Sequence, residues 1–487
     1  MRKTSTCILI FLSIFGVKAQ TLTLDDAIYI AKERSYDAQK AKFSFLASYW
    51  TYRSFKAELM PSVNIQGTLL NFNHSIVETR NYADGQIAYV NNNTLANNLI
   101  LSLDQKIAAT GGTISIQSYA HRLDQFSYHQ KTYNVQPLRI SYSQPLRSFN
   151  TLKWEKKIVP VEYEAAQRIY ISSMEDIAVQ VTNLFFDVLS AQYDYKQSLY
   201  SMKDREKLLD IARKRLELGT TTKSEVLQLE LSLQNAKVTL DQDKLSLDSK
   251  RYDLFSYLMM NDDSGIELAL PPSINNLWLS PEVVVDKALS NSVHQMEQQI
   301  TRLEAEKNLA QAKANRGIQV TLSGEIGFAK SDERFFDAYG RLKDNEIVGL
   351  TISMPIFDWG MGRGKVKVAK AQLDVTRTRL EQEHKNYIHD LRRKVLQFNS
   401  RPSQYSNAIK AQEIAEERYG IAVSRFEAGT TSVTELNTAL SEMESANRQY
   451  ITMLHNLWSD YYAIRKATLY DWIGRRELQV DFGTLIK

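Results

Sequence analysis

Arg215-Leu-Glu-Leu-Gly219-Thr-Thr-Thr-Lys-Ser-Glu225 returns 210 residues later as Arg425-Phe-Glu-Ala-Gly429-Thr-Thr-Ser-Val-Thr-Glu435. The same offset carries Gln144-Pro145-Leu146 onto Met354-Pro355-Ile356, and Tyr252-Asp-Leu254 onto Tyr462-Ala-Ile464. Further upstream the offset is 257: Ala31 and Ser35 match Ala288 and Ser292, and Val63-Asn-Ile65-Gln-Gly67 matches Val320-Thr-Leu322-Ser-Gly324. A fixed internal period means a duplicated structural unit. The two offsets differ by 47 residues, which the first copy carries between Gly67 and Gln144. The expected division is a first repeat over 20–270, a linker over 271–280 around Leu270-Pro-Pro-Ser-Ile-Asn-Asn276, a second repeat over 281–470 and a tail over 471–487.

Each copy reads as helix, strand, loop, strand, helix, turn, helix. The first helices are expected over about Asp25 to Leu59 and Pro281 to Arg316. In the strand after the second of them, Val320, Leu322, Ile326 and Phe328 alternate with Gln319, Thr321, Ser323 and Glu325. The returning strand puts Val348, Leu350, Ile352, Met354 and Ile356 on one face. A period of two with one oily side marks a two-faced strand. From Pro145 to Gly219 and from Pro355 to Gly429 the pattern is helical for roughly 65 residues, about 100 Å at 1.5 Å per residue. Pro160 and Pro402 lie inside these runs, and periodicity on both sides predicts a kink and not an end.

The returning helices repeat apolar residues every seven positions, at Val226, Leu233, Leu240, Leu247 and Leu254, and at Leu436, Met443, Tyr450, Leu457 and Ile464. That spacing produces left-handed supercoiling. A second series in the first copy, Leu231, Val238, Leu245, Tyr252 and Met259, lies about 200° round the helix. Two opposed seams suit a helix with neighbours on both sides, as in a ring. In the second copy the corresponding positions hold Ser441, Arg448 and His455, which leaves a filled bundle or a looser contact open there.

The 487 residues include 60 Lys+Arg against 56 Asp+Glu, so no polyanion-binding excess exists. With 43% hydrophobic residues, nineteen Gly and nine Pro, neither low-complexity disorder nor a polytopic helical membrane protein fits. Arg2 and Lys3, the apolar run Ile8 to Val17 and the small-residue site ending at Ala19 read as a signal peptide over 1–19. Its removal lowers the net charge from +4 to +1. Cys7, the single cysteine, precedes the apolar run, so the protein is expected not to be a lipoprotein and the mature chain to have no thiol chemistry.

For an exported chain, strands of about ten residues with an apolar and a polar face fit an outer-membrane barrel, against the plainer reading of a small soluble sheet. Trp154 and Trp359 fall just past the last strand of each copy, where interfacial aromatics belong. Asn91-Asn-Asn-Thr94 and Lys330-Ser-Asp-Glu-Arg334 are expected as outward loops. Two strands per copy give four per chain, too few to close a barrel, so the chain has to pool strands with others. The 47 extra residues contain a candidate hairpin, Leu99–Lys106 and Thr113–Tyr119 around Thr110-Gly111-Gly112, which could join the wall or project from it.

The leader, the duplicated plan, Gln144-Pro-Leu146, Met354-Pro-Ile-Phe-Asp-Trp-Gly360 and the two Gly-Thr-Thr turns resemble the TolC-like outer-membrane efflux proteins. The resemblance implies a mainly α fold with membrane β: a homotrimer with a long periplasmic α-barrel and an outer-membrane β-barrel completed by trimerisation. It implies a Gram-negative outer-membrane location, a periplasmic adaptor docked on the turns and, through it, an inner-membrane pump. On this resemblance the docking turns comprise Arg215, Leu218, Gly219, Thr220 and Thr221, with Arg425, Ala428, Gly429, Thr430 and Thr431. Family carboxylates lining the constriction fall on Glu435 and, three residues on, on Thr438; Glu225 matches the acidic residue of the first turn. The basic partner of the family's closed-state latch falls on Thr431.

The plainer reading of the turns is capping. Thr222-Lys-Ser-Glu225 and Ser432-Val-Thr-Glu435 both fit a capping box, and Gly219 and Gly429 suit a left-handed helix end. The two readings are compatible. Gly360-Met-Gly362-Arg-Gly364-Lys365 lacks the spacing of a phosphate loop and reads as a strand-to-helix crossing. His384 and His389 form no ligand pattern, no hydrolase motif is present, and no cofactor or metal is expected. The leading expectation is a passive exit duct with no reaction of its own, for efflux or type I secretion. The alternative is a secreted trimeric stalk or adhesin. An adaptor fits less well, because the whole unit is duplicated.

Overall fold

The computed structural model describes residues 21–80, 85–261, 266–274 and 277–486. The expected leader with Cys7, and Asn275 and Asn276 of the linker, lie outside the described residues. The first copy opens with strand β1 (Thr21–Leu22) and helices α1 (Leu24–Arg34) and α2 (Tyr36–Glu58). Strands β2 (Ser62–Arg80), β3 (Ile87–Ile107), β4 (Gly112–Gln125) and β5 (Gln130–Arg147) follow, then helices α3 (Thr151–Glu217) and α4 (Lys223–Tyr257). After β6 (Glu267–Leu268) the order returns as α5 (Pro281–Asn291), α6 (His294–Arg316), β7 (Gln319–Asp332), β8 (Lys343–Ser353), α7 (Met361–Glu427) and α8 (Val433–Thr468). Short β9 (Tyr470–Asp471), β10 (Arg476–Glu477) and α9 (Phe482–Ile486) end the chain.

Helices α3 and α7 are each 67 residues long and run unbroken through Pro160 and Pro402. The first helix of each copy, expected as one piece, is instead two. Ser35 and Ser292, which match in the duplication, adopt extended backbone at φ −58, ψ 153 and φ −75, ψ 164. Each closes the preceding helix through its amide to Ala31 O and Ala288 O at 3.0 Å. The Ser35 hydroxyl then accepts from the Ala38 amide at 3.2 Å. A serine can satisfy free amides as well as sit in a helix, so periodicity alone does not reveal the break.

Two compact units result, each drawing on both repeats. One comprises residues 45–167 and 293–385, the other 21–44, 168–292 and 386–486 among the described residues. The first holds a six-stranded antiparallel sheet in the order β2-β3-β4-β5-β7-β8. The extra hairpin of the first copy is thus inserted between β2 and β5. Asn91 to Thr94, expected in a loop, lies in β3 paired with Ile76 to Asn73. Its polar side chains mislead because a two-stranded ribbon needs only backbone partners; Asn93 Oδ1 also meets His74 Nδ1 at 2.6 Å. Lys330 to Asp332 is likewise the end of β7, with only Glu333 and Arg334 in the loop.

In the second unit α3, α4, α7 and α8 share a core of Leu208, Leu209, Val226, Leu229, Leu233, Phe426, Leu436 and Leu440. The first seven-residue seam of α4 is buried at Val226, Leu233 and Leu254 and half-buried at Leu240 and Leu247. Its second seam is open: Leu231, Val238, Leu245 and Tyr252 are 56–71% exposed. On the second face of α8 only the far end is covered from within the chain, where His455 stacks on Phe186 at 5.0 Å and meets Asn183 Oδ1 at 3.0 Å, while Ser441 and Arg448 are exposed. Buried Glu175 lies 2.7 Å from Lys32 Nζ and 2.8 Å from Arg465 Nε, and so ties α3 to α1 and α8. Among the described residues no helix is long and apolar enough to cross a membrane.

Candidate functional site

The two Gly-Thr-Thr turns share one backbone design. Gly219 and Gly429 have φ of +72° and +78°, the left-handed region in which a β-carbon is strained. The Thr220 and Thr430 amides reach back to Arg215 O and Arg425 O, each at 2.9 Å, and the same carbonyls accept from the two threonine hydroxyls at 3.1 Å. These bonds use carbonyls that the ends of α3 and α7 would otherwise leave bare. The returning helices start on hydroxyl caps: Thr222 Oγ1 accepts from the Glu225 amide at 3.3 Å, and Ser432 Oγ from the Glu435 amide at 3.2 Å. In the first turn Glu225 answers by accepting from the Thr222 amide at 3.2 Å, completing a capping box.

The side chains are arranged differently. Arg215 crosses to the other turn, donating to Phe426 O at 3.2 Å while its guanidinium lies 5.6 Å from the Phe426 ring centroid. It also donates to its own turn at Thr220 O, 3.3 Å away. Arg425 stays local and pairs with Glu435 at 3.3 Å. Glu435 accepts in addition from the Thr431 hydroxyl at 2.5 Å. Thr431 therefore does engage the carboxylate as a neutral donor, while the positive charge beside Glu435 comes from Arg425, ten residues before it. Glu225 is held below the usual carboxyl range by the Thr221 hydroxyl and the Thr222 amide.

Glu435 and Thr438 are exposed one helical turn apart, and the Thr438 hydroxyl is spent on Thr434 O at 2.9 Å. Leu218 at the tip of the first turn is 77% exposed, and Ala428 takes the matching place in the second. Sequence reasoning overlooked the Arg215 link, since nothing local distinguishes it from Arg425.

From β2 to β7, paired residues at the helical end of the sheet sort into two faces. One row runs Val63, Leu103, Ile116, Ile140, Ile326; its neighbour on the other face runs Asp104, Ser115, Ser141, Glu325. In β8 the same rows end on Glu346, opposite Ile326, and Ile347, opposite Glu325. Asp104 accepts from Ser102, Ser115 and Asn64 at 2.7, 2.5 and 3.0 Å. Arg122 pairs with Asp124 at 2.7 Å, and Arg139 with Gln117 and, at 3.6 Å, Glu325. These charged residues were not singled out from sequence; the period-two alternation that runs through them was the available signal. Trp154 lies in the first turn of α3, after β5, and Trp359 lies between β8 and α7. Trp154 is half-buried with Lys157 Nζ 5.1 Å from its ring, while Trp359 is 91% exposed and packs edge-on against Phe357 at 4.5 Å.

The glycine run after Trp359 is closed to anions. Asp358 Oδ1 and Oδ2 take the Gly360 and Gly362 amides at 2.9 and 2.7 Å, and these bonds keep its carboxyl below the ordinary range. His384 stacks on His294 at 5.9 Å. Among the described residues no group of His, Cys, Asp and Glu is disposed to hold a metal ion.

With this geometry in hand, known proteins give a consistent answer. Residues 284–468 match the family described as "Outer membrane efflux protein". "Toxin and drug export protein A" of Aggregatibacter actinomycetemcomitans is 22% identical over 326 residues, 64% of this chain and 69% of that protein. The outer-membrane channel OprN shares the fold with a TM-score of 0.67 at 15% identity, over 92% of this chain and 90% of its own. The Campylobacter jejuni CmeC outer membrane channel gives 0.66 at 14% identity, over 95% and 88%. By sequence over residues 284–468 the chain matches the outer-membrane efflux protein family, and over nearly its whole length it shares the fold of outer-membrane channels of that kind.

Proposed function

We propose that three copies of this chain form a passive channel-tunnel through the outer membrane, the exit duct of a tripartite efflux or type I secretion system. A single observation carries the reading. The sheet has an apolar face, a polar face and two unpaired edges, β2 and β8, on a chain whose long α4 helix also leaves an apolar seam open. Sheet edges are not tolerated in lipid, and a heptad seam calls for a partner helix. Copies arranged about an axis satisfy both at once, with the oily sheet face to lipid and the charged face to water. The Gly-Thr-Thr turns, with Leu218 and Ala428 at their tips, then form the periplasmic mouth that an adaptor grips. Glu225, Glu435 and Thr438 stand around the constriction.

In planar bilayers the purified protein is expected to give stable trimers and discrete conductance steps, and the Glu435→Ala, Thr438→Ala double variant larger ones. Stable trimers that never conduct, even in the double variant, would favour the secreted stalk or adhesin. Loss of adaptor cross-linking on changing Leu218 and Ala428 to Asp, with the trimer intact, tests the docking role of the turns.

A further inference from the structure

Two strands per repeat account for four of the six strands in the sheet; β3 and β4 are the surplus that the first copy alone carries. We propose that this hairpin is built into the membrane wall, so that three copies close a barrel of eighteen strands where the duplicated unit alone would give twelve. The inference rests on the trimeric channel reading and goes beyond it, because it sets the width of the outer-membrane pore.

The hairpin is anchored like a wall element and not like an appendage. Its pairing is continuous on both sides, β3 with β2 and β4 with β5. Its inner turn is fastened to both neighbouring crossings. Gln105 Nε2 donates to Leu59 O at 3.0 Å and Lys106 Nζ meets Glu58 at 2.6 Å, where α2 becomes β2. Gln144 Nε2 donates to Thr110 O at 3.1 Å and Asn150 Nδ2 to Ala108 O at 3.0 Å, where β5 becomes α3. The fit is close enough that a β-carbon on Gly112 would lie 2.4 Å from Gln144 Oε1. On the helical side of the register shifts at Thr68/Asn71 and Gln117/Tyr119 the two faces also continue through the hairpin in phase, as in the Val63–Leu103–Ile116–Ile140 row and in the Asp104–Ser115 bond.

The free edges match. Strand β2 leaves the helical end and β8 returns to it, so the two edges meet antiparallel between copies. Strand β8 has 11 residues, whereas β2 has 19 and changes register between Thr68 and Asn71. At that shift the Thr68 and Leu70 amides turn to Asn98 Oδ1 and Asn97 Oδ1, at 2.9 and 2.7 Å. The 19 residues of β2 are enough to pair all 11 of β8. With strands about 4.8 Å apart and tilted about 40°, eighteen strands enclose a ring about 36 Å across and twelve one of about 24 Å. The cross-section differs about 2.3-fold, since diameter grows roughly linearly with strand number.

Electron cryomicroscopy of the full-length trimer in lipid nanodiscs, viewed down the axis, tests this. An eighteen-strand ring about 36 Å across is expected. A twelve-strand ring with β3 and β4 outside it would overturn the proposal and leave the trimeric channel standing; particles with no threefold ring would remove the channel reading and the proposal together. Labelling gives an independent readout. In membranes, single variants Ile114→Cys and Ile116→Cys should lose reaction with a membrane-impermeant maleimide and regain it in detergent, while Thr113→Cys and Gln117→Cys should react in both. Uniform reactivity along β4 would show a hairpin in water, and the proposal would fall.

Discussion

Arg215 and Arg425 occupy the same place in the two repeats and make different bonds, so their removal should have different consequences. Arg425 is the cation beside Glu435, 3.3 Å away. Arg425→Ala should leave that carboxylate with only its hydroxyl donor and shift the reversal potential of the channel toward greater cation selectivity, whereas Arg215→Ala should not. The glycines separate in the same way. Gly219→Ala meets no neighbouring atom and should cost about 1 kcal/mol for the left-handed backbone. Gly429→Ala has the same strain and also brings a β-carbon to 3.0 Å from Arg215 Nη2, so thermal unfolding should be lowered further. Acid should loosen the first turn by a definite route. The folded value of Glu225 lies below its unfolded value of about 4.3, so its cap contributes fully above that pH and is lost as pH falls through the folded value. Hydrogen exchange at the Thr222 amide, which donates to that carboxylate, should rise over that window, and at higher pH in Thr221→Ala.

Among the elements, α4 shows how far a sequence pattern can be carried. Its two seven-residue series foretell two contact faces; the fold fills one and leaves Leu231, Val238, Leu245 and Tyr252 open. Val238→Asp should therefore abolish trimers on a sizing column while leaving the helical signal of the protomer intact; a trimer unaffected by it would mean the open seam has no partner. The corresponding face of α8 read as weak; its own chain covers it at His455, on Phe186, and leaves Ser441 and Arg448 exposed. Spacing identifies a face but not which molecule covers it. The breaks at Ser35 and Ser292 were hidden for another reason: both flanking segments are helical, and serine at a break looks like serine in a helix. Only the backbone angles separate them. The hydroxyl caps of both returning helices, by contrast, were legible, because Thr222 to Glu225 and Ser432 to Glu435 act through bonds three residues apart; only the first completes the expected capping box, since the Glu435 carboxylate turns to Thr431 and Arg425.

For the whole molecule, the duplication was readable because both copies kept their turn residues and their strand alternation. The place of the surplus hairpin was not, because pairing of β4 with β5 joins residues such as Thr113 and Ser143 whose spacing in sequence carries no signal. Long-range pairing also decides how the protein should behave in solution. The chain alone leaves the 11 residues of β8 without a second neighbour and exposes Val348, Leu350 and Ile352 by 56–81%. On the trimeric channel reading the sheet lies in lipid, where each unsatisfied backbone group costs several kcal/mol, so it becomes stable only when the β8 edge finds the β2 edge of another copy. Folding of the sheet and association are then one process, and mass action applies to it. In detergent the unfolding temperature should rise with protein concentration, and loss of the sheet signal should coincide with loss of the trimer band. A transition that stays fixed over a hundredfold dilution that dissociates the trimer would show that a single chain closes its own edges and would overturn this coupling.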